Sequence, residues 1–488
     1  MANATAAVAA ETGQSANRLI LGIVLAVITF WLFAQTMLNV APTIREDLGI
    51  SESLSNIAVS ITALFSGIFV VVAGGLADRL GRLKLTYIGL ALSVVGSLLI
   101  AISPAGSVGF VMTGRIIQGL SAACIMPATL ALIKDYFDGK ERQRAVSFWS
   151  IGSWGGSGVS ALFGGLVASS FGWRWIFWMS ILVAVMSFLL LRGAPESKVA
   201  SAEGRRFDWY GFIAFIIAMV AVNIVIGQGS ALGWLNPVVI ALAVVFVVAA
   251  VVFFRVESRN PDGFVDLRLF NNKTYAGATL SNFLLNGAAG TLLVALSLVQ
   301  QAAGLSSLQS GLLTIGYLIA ILSTIRIGEK LLQKMGARKP MLMGCAITGA
   351  GILLTTFTFL LVGQYMIVAF VGFTLFGIGL GFYATPSTDA ALSNVPNEKA
   401  GAASGIYKMA SSLGAAFGVA ISAALFTSLS GLNNSFGPLS DLFLGRTDNT
   451  GIRFAAAIAL SFNVMMVVIA IIAIALTVPK DDPAGRAA

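Results

Sequence analysis

The sequence predicts an all-α polytopic membrane protein of about 14 transmembrane helices, and three observations carry that prediction. Hydrophobic residues make up 57% of the 488 positions and charged residues 10%. Soluble domains carry about 25% charged residues, so most of this chain must lie in lipid and an ordinary globular enzyme is excluded. Apolar runs of about 17 to 25 residues, each able to cross a hydrocarbon core of about 30 Å, recur about 14 times. Threaded from a cytoplasmic N-terminus, the chain places about 24 of its 30 Lys and Arg in loops of the inner face, about 4 outside and about 2 within helices. That bias also accounts for the net charge of +9 without a nucleic-acid partner. An even number of spans puts both termini in the cytoplasm.

The spans begin near Leu19, Leu54, Leu85, Val108, Ala145, Trp175, Trp209, Val238, Ala276, Leu312, Met341, Ile367, Ala403 and Phe454. The first, Leu19 to Leu38, is long for a signal-peptide core and is followed by no small-residue cleavage pattern, so it reads as a retained helix. The second ends in Gly74-Gly75-Leu76-Ala77-Asp78-Arg79-Leu80-Gly81-Arg82-Leu83-Lys84, where glycines allow a tight turn and an acid is flanked by bases. Arg115 lies about two turns into the fourth span. The fifth is rich in glycine (Gly152, Gly155, Gly156, Gly158, Gly164, Gly165), and Trp173, Arg174 and Trp175 mark an outer interface before the sixth. Asp208 caps the seventh. Gly193 to Phe207 and Glu257 to Lys273 are cytoplasmic linkers, and Ser428 to Arg453 is a polar external segment. Cys124 and Cys345 fall within apolar runs as free thiols, so neither a disulfide nor a metal framework is implied.

The chain also repeats. The tenth span ends in Arg326-Ile327-Gly328-Glu329-Lys330-Leu331-Leu332-Gln333-Lys334-Met335-Gly336, a basic turn shaped like the one after the second, and the thirteenth is glycine-rich (Gly405, Gly414, Gly418) like the fifth. An offset of eight spans implies six-helix halves with two helices inserted: an N-terminal bundle at 1–192, a linker at 193–207, two additional central helices with their linker at 208–273, and a C-terminal bundle and tail at 274–488. Duplication of this kind lets a transporter build a central site that alternates between faces.

These residues resemble the major facilitator superfamily, in particular its 14-helix drug:proton antiporters. The Gly74 to Lys84 turn is similar to the superfamily's loop signature, Arg115-Ile116-Ile117-Gln118-Gly119 to its fourth-helix signature, and Thr36, Asn39, Val40, Ala41 and Pro42 to the end of the first-helix signature. Ala58 to Gly75, Ser121 to Thr129, Trp149 to Gly158 and Tyr383 to Asp389 resemble quinolone efflux members. The resemblance implies a major facilitator fold of two six-helix bundles plus two central helices. It further implies a bacterial cytoplasmic (inner) membrane location, a monomer without cofactors, and export of amphiphilic drugs against protons. Two positions depart from the pattern. Ala34 stands where the branch usually carries an aspartate, and Ser160 and Ala161 precede Gly164-Gly165 where a Gly-Pro is expected. The aspartate route for protons and the proline kink are therefore not available.

The chemistry must come from few groups. With no histidine in the chain, proton coupling falls to acids, chiefly Asp389 and Glu329, tuned by burial and by cations such as Arg115 or Lys408. A lone guanidinium in the membrane costs several kcal/mol unless it faces a partner or a wet cavity, which makes Arg115 an electrostatic switch or a hydrogen-bonding hub with Gln118. Asp389 and Lys408 each sit about one turn inside a span end, where snorkelling to water is the plainer alternative. Glu329 follows Arg326 at pairing distance. Gly74, Asp78, Arg79, Gly81 and Arg82 form the candidate gate, against a bland solvated turn. For substrate contacts, Trp31, Phe65, Trp149, Trp154 and Tyr383 offer ring faces, and Gln35, Asn39, Gln118, Asn282 and Asn286 offer neutral hydrogen bonds. No phosphate-binding loop occurs, so energy must come from an ion gradient. The rival readings are an exporter of a native metabolite, lipid or peptide that also accepts drugs, and a non-transporting sensor, which would need neither hinges nor a charged cavity.

Overall fold

A computed structural model describes residues 15–198, 208–260, 266–305, 307–430, 443–445 and 449–480, and among these there is no strand. The helices are α1 Ala16–Ile28, α2 Met37–Leu48, α3 Glu52–Leu80, α4 Arg82–Ala101, α5 Val108–Tyr136, α6 Gly139–Ser150, α7 Gly156–Phe171 and α8 Arg174–Leu191. They continue with α9 Trp209–Leu232, α10 Pro237–Arg259, α11 Lys273–Gly287, α12 Gly290–Ala303, α13 Ser307–Leu312 and α14 Ile315–Met335. The last four are α15 Arg338–Thr355, α16 Val362–Ser393, α17 Ala400–Ser430 and α18 Thr450–Thr477. Two π-helical turns, Thr29–Ala34 and Ile151–Gly155, interrupt the first and fifth predicted spans.

Helix occupies every predicted span, yet among the described residues 12 segments are long and apolar enough to cross a membrane. The fifth span, α6 through α7, falls short because Ser147, Ser150 and Ser153 are buried along it, and only Leu162–Phe171 qualifies as a short apolar helix. The eleventh, α15, opens on Arg338-Lys339 and turns Gly344, Thr348, Gly351 and Thr355 inward. A segment shielded by other helices need not be greasy all round, so its mean hydropathy stays low.

The chain forms two compact units, the first Met1–Asn272 with Ala391–Met409 and the second Lys273–Ala390 with Ala410–Ala488. The first contains two apolar cores, one around Ile23, Leu130 and Trp149 and one around Met37, Ile44 and Phe177. The second has its core around Val294, Phe373 and Leu460.

Inside each unit the repeat is visible in backbone geometry. Gly81, at φ +114°, ends α3 and lets α4 start at the next residue; Gly336, at φ +73°, ends α14, and one residue, Ala337, leads from it into α15. A methyl group on Gly96 or Gly114 would lie 2.8 Å from the other's carbonyl oxygen, and one on Gly372 would lie 2.7 Å from the Gly351 oxygen. Both units thus cross their matching helices at glycine–glycine contact, as close-packed membrane helices do.

Several expectations shift. Trp173 is 4% exposed and packs edge-on against Phe177, leaving Trp175 on the surface. Lys408 stands two turns after Ala400 and is buried, because α17 starts earlier than hydropathy suggests. Arg453 belongs to α18 and α17 runs to Ser430, so the external segment is shorter than expected. Residues 431–442 and 446–448 of that segment, the linker residues 199–207 and 261–265, and residues 1–14 and 481–488 lie outside the described residues.

Candidate functional site

Arg115 is held by oxygen on every side. Its Nη1 donates to the carbonyl of Ala34 and to Gln118 Oε1, each at 2.8 Å; Nε donates to Ala58 O at 2.9 Å and Nη2 to Val59 O at 3.4 Å. Ala34 closes the first π-helical turn, where the change of winding before α2 leaves a carbonyl available. The position matching the branch's usual aspartate therefore meets Arg115 through its backbone. Gln118 Nε2 passes the chain on to Ser97 Oγ at 3.2 Å, which donates to Ser180 Oγ at 3.2 Å. Thr62 Oγ1 returns a bond to the Arg115 carbonyl at 2.9 Å. With 1% of the side chain exposed, the guanidinium is tied to α1's π turn, α3 and α5 at once. A buried charge is tolerable on those terms.

The Asp78 cluster is a second built feature of the same unit. Asp78 Oδ1 accepts from Arg82 Nε at 3.1 Å, from Arg82 Nη2 at 2.9 Å and from the Gly401 N–H at 3.0 Å, while Oδ2 accepts from the Ala402 N–H at 3.0 Å. Those N–H groups belong to the first turn of α17, so the carboxylate caps that helix and meets the positive end of its dipole. Arg82 also donates to Ser197 Oγ at 3.1 Å and to the Asn397 carbonyl. Gly74 admits the approach: a side chain there would strike the Gly401 carbonyl. Gly81 makes room for Glu196, whose two oxygens take the Leu83 and Lys84 N–H groups, both at 2.9 Å. Arg79 is partly buried and takes no part in these contacts among the described residues.

Sequence reasoning missed two members of this cluster. Lys134, near the end of α5, donates to the carbonyls of Leu392 and Val395, and Glu196 caps α4. Neither stood in a recognised motif, and their partners lie far away in the chain. Only the run of bases from Lys134 to Arg144 hinted at the first.

The aromatic candidates divide. Trp31 is partly buried and donates to Met126 Sδ at 3.3 Å. Phe65 stacks on Phe69 with centroids 6.0 Å apart. Trp154 sits partly buried on the second π turn, and Gln35 is partly buried after the first. The Asn39 side chain lies outside the described residues. In the second unit Tyr383 is fully buried, its hydroxyl 2.7 Å from Ser281 Oγ and accepting from Ser387 Oγ at 2.9 Å. Asn282 donates to Ser411 Oγ at 2.6 Å, and Asn286 donates to Asn282 Oδ1 at 2.9 Å. Asp389 is 3% exposed and Glu329 4%; Glu329 pairs with Arg326 and accepts from Gln333 Nε2 at 3.1 Å. Arg115 and Gln118 are thus brought together in one unit, and the carboxylates Asp389 and Glu329 belong to the other. Among the described residues no three His, Cys, Asp or Glu gather in a metal-holding group.

The Major Facilitator Superfamily profile matches residues 19–419 and, a second time, 278–487. The chain belongs to the major facilitator superfamily. It is 50% identical over 472 residues to the quinolone resistance protein NorB of Staphylococcus aureus strain MRSA252, covering 97% of this chain and 98% of that one, and equally so to NorB of strain COL. The superfamily fold is matched in solved structures. The proton:xylose symporter XylE aligns with a TM-score of 0.66 at 17% identity, over 96% of this chain and 97% of that one. The human organic anion transporter MFSD10 (TETRAN) aligns at 0.60 and 14% identity, over 93% and 98%. Sheer number of apolar helices then makes this superfamily member a multi-pass membrane protein.

Proposed function

We propose that the chain is a bacterial cytoplasmic-membrane exporter that exchanges protons for amphiphilic drugs, with quinolones, cationic dyes and biocides as its substrates. The observation that carries this reading is half-identity to NorB over nearly the whole of both chains. Fourteen membrane helices, with α6–α7 and α15 counted as spans, bring both termini to the cytoplasm. The functional halves are 1–192 and 274–488, the pair at 208–273 is inserted between them, and the working unit is a monomer that is not an enzyme.

In this reading Asp389 and Glu329 carry the proton, and Arg115 is a fixed cation that biases them and the substrate. Acids that gain and lose charge in a low-dielectric site change local binding energies enough to couple the two cargoes. Gly74, Asp78, Arg79, Gly81 and Arg82 form a gate. Support for it comes from Asp78, whose hold on the first turn of α17 can be made and released as a unit; a carboxylate at a helix N-terminus is worth about 0.3–1 kcal/mol, and up to about 2 kcal/mol when partly buried. That is small enough for drug or proton binding to offset. Trp31, Phe65, Trp154 and Tyr383 supply ring faces to substrate, and Gln35, Asn39, Gln118, Asn282 and Asn286 supply neutral hydrogen bonds. The test is drug susceptibility of cells expressing the chain, paired with proton release from energised vesicles on adding drug. Raised resistance with release is expected; unchanged susceptibility without release overturns the reading.

A further inference from the structure

Five basic side chains are buried in the described residues: Arg82, Arg115, Lys134, Lys408 and Arg453. Four of them donate to oxygen. Arg82 has Asp78, Arg115 its carbonyls and Gln118, Lys134 two carbonyls, and Arg453 the carbonyls of Thr358, Leu360 and Leu444. Lys408 differs. Its Nζ lies 4.6 Å from the ring centre of Trp149 and 5.7 Å from that of Trp31, and among the described residues it meets no carboxylate, carbonyl or hydroxyl. All three residues belong to the first unit.

The two indoles are fixed with their faces toward the ammonium, because their N–H groups are engaged elsewhere. Trp149 donates to Thr129 Oγ1 at 3.0 Å and Trp31 to Met126 Sδ at 3.3 Å. Ring faces attract a cation but accept none of the three N–H bonds that an ammonium directs. One turn earlier on the same face of α17, Ser404 Oγ is also buried without a hydrogen-bond partner. A 93%-buried cation and a neighbouring hydroxyl, both lacking acceptors, cost free energy that an incoming anion would recover.

We propose that Lys408, with Ser404 and the faces of Trp31 and Trp149, forms a subsite for the carboxylate of an aromatic carboxylic-acid substrate. The carboxylate takes the ammonium and hydroxyl protons in charge-assisted bonds. The adjoining ring lies against Trp31, which is only partly buried. The proposal rests on the export reading and adds to it the class of drug favoured: acidic or zwitterionic aromatic amphiphiles over cationic ones that lack an acid.

Equilibrium dialysis of the full chain in lipid nanodiscs against norfloxacin and its carboxyl methyl ester tests it. The wild type should bind the acid about tenfold more tightly than the ester, as expected for one charge-assisted contact. Lys408→Met should bring the two within about twofold by loss of acid affinity, and Lys408→Arg should keep the preference. Equal binding of acid and ester by the wild type overturns the proposal, whether or not the variants fold; so does a preference that survives in Lys408→Met. Failure of wild-type cells to export both norfloxacin and ethidium would instead overturn the export reading, a result distinguishable from the binding preference.

Discussion

The two units share a scaffold and differ in what it holds. In the register that sets Gly114 on Gly372 and Gly119 on Gly377, Arg115 falls on Phe373 and Gln118 on Phe376, while setting Gly96 on Gly351 puts Ser97 on Ile352. Phe373 and Ile352 are 0% exposed and Phe376 is 2%. The same helix crossing, pinned by glycine against carbonyl, therefore surrounds a hydrogen-bonded guanidinium in one unit and a wholly apolar plug in the other. The converse holds at the far ends of these helices: where the second unit carries Asp389, the first has Ala131, fully buried. Duplication preserves close packing, which tolerates no added methyl, and leaves the residues between the glycines free to diverge into a fixed cation on one side and acids on the other.

The sharpest way to break this comparison is to exchange the contents at the matching place. Arg115→Met leaves the carbonyl of Ala34 and the Gln118 amide without their donor; each orphaned buried acceptor costs about 1–3 kcal/mol. Export should fall to background, and thermal unfolding in detergent should shift clearly downward. Phe373→Leu, at the equivalent point, should cost about 1.5 kcal/mol or less and keep export. Equal damage from the two would mean that Arg115 is packing and nothing more.

Next come the acids of the second unit. Asp389→Asn and Glu329→Gln should each uncouple export from the pH gradient, read as loss of drug-induced proton release with drug binding retained. Full pH-driven transport in both would move coupling to another group.

A smaller and symmetric effect is expected at the crossings. Gly96→Ala and Gly351→Ala each drive a methyl against a carbonyl oxygen, at about 1–3 kcal/mol, and the two should lower the unfolding temperature alike. A marked inequality would show that the scaffold is not shared.

The slightest effect belongs to the surface. Asp47 lies mostly exposed at the end of α2, and the hydrogen bond from Arg174, at 2.6 Å, holds its carboxyl below the usual range. A lowered acid contributes stability above its unfolded value of about 3.9 that is lost as pH falls through the folded value. Stability should therefore decline slightly below about pH 4, and Asp47→Asn should remove that part of the acid limb.

Much of the molecule was legible in its sequence. Helix existence follows from local apolar length, and every predicted span holds helix. The turn at Gly81 and its echo at Gly336 were readable because glycine alone takes a positive φ at a helix end with little strain. The crossing-capable span count was less legible: buried serines in α6–α7 and the small polar face of α15 depend on what covers them. Trp173 was misplaced for the same reason, since an indole flanked by Arg174 and Trp175 looks interfacial until its neighbours are known.

By itself the sequence determined the class of this protein, its family and the location of its few intramembrane charges, because hydropathy, glycine spacing and charge bias are properties of neighbours in the chain. Tertiary structure alone decided what each charge touches. Ala34 replaces a carboxylate with a backbone oxygen, Asp78 reaches the start of α17, and Lys408 faces two indoles instead of an acid, since each partnership joins segments that only folding brings within hydrogen-bond or ring-contact range.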